Sequence, residues 1–190
     1  MKEGLIKDAY EALIKEIQTV ITICYILTVG IGMLFNYQLY SEFGINVFDY
    51  SDVFDFLIAP FADFKILLFS VASIGFSSIL LQTDIIWKKK FPKSYSKSSF
   101  GLDKKPWFNR YRYIAFSFLF ITYLYLSADE YGNYASSQIK KQTPVEIRFS
   151  DNEVKTGIMI GKTANVLFLL NDEKVSAIPI TSLVKEFEIK

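Results

Sequence analysis

Few residues in this chain have the side chains and spacing that chemistry or recognition needs, and most are acids, serines or lysines. Asp49, Asp52 and Asp55 recur every third residue in FGINVFDYSDVFDFLIAPFADF. On a helix they would share one flank, and repeated around a symmetric oligomer they would ring the mouth of a cation path. Ser70, Ser73 and Ser77 fall at roughly 0°, 300° and 340° around a helix. Small residues so placed let two helices approach closely, and lining a polar path is their other use. Asp84 lies one helical turn before Lys88, and pairing with that lysine or simple hydration is expected there rather than a proton relay. Lys88, Lys89, Lys90, Lys104, Lys105, Arg110 and Arg112, with Lys93 and Lys97, crowd one short stretch.

The chain holds no histidine and one cysteine, Cys24. A Ser-His-Asp triad, a Cys-His pair, a His-Cys zinc site and an intrachain disulfide are therefore excluded. Cys24 sits inside an apolar run, where a thiol packs as a small hydrophobe. No glycine-rich phosphate loop or paired-carboxylate motif stands out. The expectation is a protein that is not an enzyme, with no catalytic, cofactor or metal site.

The elements that position these residues are read from hydropathy. Hydrophobic residues make up 51% of 190, aromatic residues 17% and charged residues 22%. A mean hydropathy of +0.24 with that charge content requires the apolar residues to be concentrated. The uncharged run 17–35 makes about 28 Å of helix, close to a ~30 Å hydrocarbon core. Acids precede it at Glu3, Asp8, Glu11 and Glu16, so it reads as a retained membrane helix rather than a signal peptide. Runs 66–83 and 113–128 are the second and third spans, the last one short and flanked by Trp107, Phe108 and Tyr131 as interface residues. Asp129 and Glu130 mark its end. Leu5, Ile6, Ala9, Tyr10, Leu13 and Ile14 give residues 1–16 one apolar stripe, the pattern of an amphipathic helix.

Charge sets the orientation. Residues 88–112 carry nine basic side chains against Asp103, whereas 36–64 carries five acids and no lysine or arginine. The positive-inside rule makes 88–112 and the N-terminus cytoplasmic, and puts 36–64 and the C-terminus outside. A full crossing by 47–60 would reverse the tail. The basic loop is suited to anionic lipid, and no specific nucleic-acid binding is expected. In the outer loop, Ser51 or Asp49 is the expected cap of a short helix ending at Ala59 before Pro60, with Val53, Phe56 and Leu57 toward lipid or a neighbouring copy.

From Gln142 the period changes to two. Segments 145–149, 154–160, 166–170, 175–180 and 184–189 read as strands, with a short helical turn at 181–183. Val145, Ile147, Phe149, Val166, Phe168, Leu170, Ile178, Leu183 and Phe187 are the core candidates of a module at 142–190 expected to fold by itself. The segment GIMIGKTANVLFLLNDEKVSAIPITSLVKEF resembles the small β domain of mechanosensitive-channel-type proteins and other SH3/Sm-like barrels. The shared features are a Gly-bearing strand, an apolar strand ending in a polar turn, and a Val-x-x-Ile-Pro strand closed at Ser182-Leu183. Ile180 stands where that family has Asn, and its Gly/Ala-rich pore helix has no counterpart, so the likeness implies a fold and no activity. The whole plan resembles small bacterial three-span membrane proteins of unassigned function.

The expected fold class is an α-helical integral membrane protein of three transmembrane helices with a C-terminal all-β SH3-like barrel. The expected role is a non-enzymatic sensor, accessory or immunity-type component of a bacterial inner membrane. It would be homo-oligomeric, embedded in the lipid bilayer, and would recognise a partner through its outer loop and β domain while assembling with a cytoplasmic protein. A small homo-oligomeric channel, with Ser70, Ser73 and Ser77 along its path, is the alternative.

Overall fold

The computed structural model describes the backbone of residues 2–149, 153–172, 174–180 and 184–188, and the side chains of 15–149, 153–172 and 174–180. The stripe expected over 1–16, the turn at 181–183 and the core candidates Leu183 and Phe187 therefore have side chains outside the described residues. Three long helices run beyond their apolar runs: α1 (Lys2–Ser41), α3 (Phe64–Lys90) and α5 (Phe108–Ile139). Their charged flanks hold good helix formers, so nothing local stops the helix where the hydrophobicity ends. Among the described residues two stretches are long and apolar enough to cross a membrane, Lys15–Ser41 and Phe64–Lys90.

The short helices α2 (Val53–Ala62) and α4 (Pro92–Ser98) fill the connections. The cap of α2 is Asp52, not Ser51 or Asp49: its carboxylate accepts from Phe54 N and Asp55 N, while Asp55 accepts from Asp52 N. Asp49 belongs to a separate 3₁₀ turn, Val47–Asp49, so the three acids do not share one helix flank. The helix also runs through Pro60 to Ala62. Pro60 brings no N–H to the Phe56 carbonyl four residues back. That oxygen instead faces Gly32 of α1, where a side-chain methyl would overlap it. Gly132 of α5 meets the Gln38 backbone of α1 in the same way, at 2.9 Å for an added Cβ. Glycine is what lets α2 and α5 lie directly on α1.

Those contacts crowd the second half of α1, where Phe35 is fully buried among Ala59, Ile66, Ala128 and Tyr131. Residues 15–27 are exposed along their whole length. The remaining long pair is α3 on α5.

Strands β1 (Val145–Phe149), β2 (Val154–Lys162), β3 (Val166–Asn171), β4 (Lys174–Pro179) and β5 (Val184–Glu188) form one antiparallel sheet in the order β4-β3-β2-β1-β5. Strand β2 pairs with β1 through 154–157 and with β3 from Ile158 onward, and its register shifts between Met159 and Gly161. One face packs on itself through Val145, Ile147, Leu167, Leu169 and Ile178. The other face is buried against the helices. Ile160 and Phe168 join Val29, Tyr40, Ile45, Val47 and Phe56 in a single core. The continuous apolar run of β3 thus has a simple cause: both of its faces are covered. Phe168 is buried as expected, but its partners are Tyr40 and Tyr50, with ring centroids 5.3 Å and 5.2 Å away, rather than the sheet's own core.

Candidate functional site

The sheet does not close flat on the helices. Between α1, α2, the start of α3, the end of α5 and the β2–β3 turn lies a cleft of about 880 Å³. Its walls mix apolar side chains such as Leu39, Ile58, Ile66 and Met159 with polar ones. The acids enter from α2 and α3. Asp55 Oδ1 accepts from Ala164 N at 3.0 Å, which ties α2 to the β2–β3 turn, and its other oxygen serves the α2 cap. Asp63 caps α3 through Lys65 N at 2.8 Å and accepts from the Tyr131 hydroxyl at 2.8 Å. Burial, followed by that bond to the Asp63 carboxylate, pushes the Tyr131 phenol well above its ordinary range. Neither Asp55 nor Asp63 forms an ion pair among the described residues. The nearby Lys65 ammonium sits 4.6 Å above the Tyr134 ring and reaches its hydroxyl at 3.4 Å.

Two further polar side chains line the cleft without a hydrogen bond to protein among the described residues, the Asn36 amide and the Tyr40 hydroxyl. Tyr40 is only 6% exposed. On the α5 side of the same turn of α1, the buried Gln38 Nε2 also lacks a partner among the described residues. The apolar surface beside the cleft is bare: Phe54, Ile58 and Phe61 of α2 and Phe64 at the start of α3 are all more than half exposed.

The serines lie elsewhere, on the seam between α3 and α5. Ser73 is fully buried; its hydroxyl donates to Phe69 O and meets Ser127 Oγ of α5 at 3.1 Å. Ser70 donates to Ile66 O. Ser77 Oγ is buried without a partner among the described residues, beside a small groove shared with Phe116, Ser117 and Phe120.

At the opposite end of the bundle, the basic stretch is folded around Tyr95. Its ring packs edge-on against Trp87 and Phe108. Its hydroxyl reaches Asp84 at 3.4 Å. The ion-pair partner of Asp84 is Arg112 at 3.5 Å, not Lys88, because α5 runs beside α3 and brings the guanidinium across. Lys88 bonds Asn109 instead, at 3.2 Å. Lys89, Lys90, Lys104, Lys105 and Arg110 stay exposed.

Sequence reasoning singled out Asp52 and Asp55 but missed Asn36, Tyr40, Asp63 and Tyr131 as parts of one cleft. Gly32 and Gly132 were the available signal, since an isolated glycine in a helix marks a close approach. Among the described residues no group of three or more His, Cys, Asp or Glu could hold a metal ion. No protein-family model matches this chain, and no curated protein matches it.

Proposed function

We propose that this is a non-enzymatic membrane recognition component, in which α2, the 36–64 connection and the β sheet form an outward head on a three-helix membrane anchor. The observation that carries the reading is the docking of the sheet. It is joined to α1 and α2 through Phe168, Tyr40 and Tyr50 and through the Asp55–Ala164 bond, yet leaves a wide cleft beside that joint. Support for α5 as the third span comes from its packing along α3 and from its run 113–128, whose large side chains Ile114, Phe118, Ile121 and Tyr125 are exposed. The strand order and the bend of β2 support an SH3-like barrel for the sheet. The nine-to-one basic excess of 88–112 supports a cytoplasmic position for that end, with the head periplasmic or extracellular. Exposed lysines there, with the N-terminal segment of α1, are the surface for anionic lipid and a cytoplasmic partner.

The channel reading draws less support. Ser70 and Ser73 bond within α3 or to α5, and Asp52 and Asp55 are engaged in the cap and the sheet. Single cysteines at positions 46 and 100, in a Cys24→Ser background, test the topology. Both native residues are exposed, Phe100 at 91%. A membrane-impermeant maleimide on intact cells is expected to label 46 and spare 100; the reverse pattern refutes the reading.

A further inference from the structure

The cleft has a chemistry that selects among ligands. Its volume of about 880 Å³ falls within the ~300–1,000 Å³ that sites for small organic molecules occupy. Three carboxylates line it, from Asp52, Asp55 and Asp63, against the ammonium groups of Lys65 and Lys162. The three acids outnumber the two lysines, so the lining carries a net negative charge. Tyr40 supplies the second, independent feature. It is 6% exposed, lines the cleft, and its hydroxyl bonds no protein group among the described residues. That hydroxyl faces Gly161 of the lining, where an added side-chain methyl would overlap it. At the rim, Phe54 and Ile58 both line the cleft and are more than half exposed, so its apolar wall continues onto the bare surface of α2.

We propose that the cleft binds an amphiphile with a positively charged amine head, the ammonium lying among Tyr40, Asp55 and Asp63 and the apolar body running out past Phe54 and Ile58. This inference rests on the head being a recognition surface at the membrane boundary. The same ligand chemistry has two sources, an aminophospholipid of the adjoining leaflet and a free organic amine.

The test uses the full chain in nanodiscs of phosphatidylglycerol. Four probes are added: short-chain phosphatidylethanolamine, decylamine, decanol and short-chain phosphatidylglycerol. Binding is read by the thermal unfolding midpoint and by native mass spectrometry. Both amine probes are expected to bind one per chain and raise the midpoint, with decanol and the glycerol lipid inert. A tenfold preference for the ethanolamine lipid over decylamine assigns the lipid source, and the converse assigns the free amine. Tyr40→Phe is expected to weaken amine binding about fivefold, the worth of one hydrogen bond, while the unliganded midpoint stays near that of the parent. Asp63→Asn keeps a capping oxygen on α3 and is expected to weaken it about tenfold. Decanol binding as tightly as decylamine, preference for the anionic lipid, or parent-like binding by both variants would each overturn the proposal. The maleimide pattern is independent of these outcomes: inverted labelling with amine binding intact removes the outward head and keeps the cleft, and the opposite result removes only the cleft's ligand.

Discussion

Replacing Phe168 by alanine separates the docking of the sheet from its own folding. Phe168 is 1% exposed and belongs to the core that joins the sheet to α1 and α2, whereas its strand neighbours Leu167 and Leu169 belong to the core within the sheet. Truncating a fully buried phenylalanine costs about 3–5 kcal/mol. Within that figure, the two edge-to-face contacts with Tyr40 and Tyr50 are worth roughly 0.5–1.5 kcal/mol each. The cost falls on the joint. Hydrogen exchange on the full chain in nanodiscs is the assay. In Phe168→Ala, the Ala164 amide, which donates to Asp55, and the α2 amides should lose protection first. The β1–β2 ladder, from Val145↔Gly157 to Arg148↔Val154, should keep most of its own. Leu167→Ala should do the reverse and loosen the strands before the joint opens. Equal loss of protection across the sheet and the joint in both variants would refute the division into two cores.

Other expectations follow from the same contacts. Gly32→Ala places a methyl against the Phe56 carbonyl, and thermal unfolding should report a loss of about 1–3 kcal/mol. Ser73→Ala removes the bond to Ser127 and should loosen the α3–α5 pair by about 0.6 kcal/mol, with ~1.7 kcal/mol as the upper end, measured by reversible unfolding in detergent. Tyr131 is held neutral in the folded state above its ordinary range, so its contribution is complete below pH ~10 and is lost as pH rises beyond that. The parent should therefore lose stability in alkali faster than Tyr131→Phe, which lacks the titrating group. Expressed alone, residues 142–190 would bare Ile160 and Phe168, and sedimentation should show self-association that Phe168→Ser reduces.

The sequence by itself determined where the apolar runs and strands lie and how charge divides between their connections. Uncharged runs near 17–35 and 66–83 specify membrane-length helices because a helix of that length matches hydrocarbon, and this can be read without any tertiary contact. The asymmetry between 36–64 and 88–112 is equally local, a count of charges. Alternation at 145–149 and the unbroken run at 166–170 mark strands with one and two covered faces. Only the tertiary structure decided what those faces cover and which distant groups meet. Phe168 has the pattern of a core residue in either arrangement; that it packs on Tyr40 and Tyr50 depends on how the sheet docks. Lys88 is the nearer cation to Asp84 along one helix, but Arg112 wins because α5 lies beside α3. Asp63 and Tyr131 are 68 residues apart and share a hydrogen bond because α5 returns beside the α2–α3 corner. Periodicity reports how a side chain faces its own element's axis, and it carries no information on which other element stands opposite.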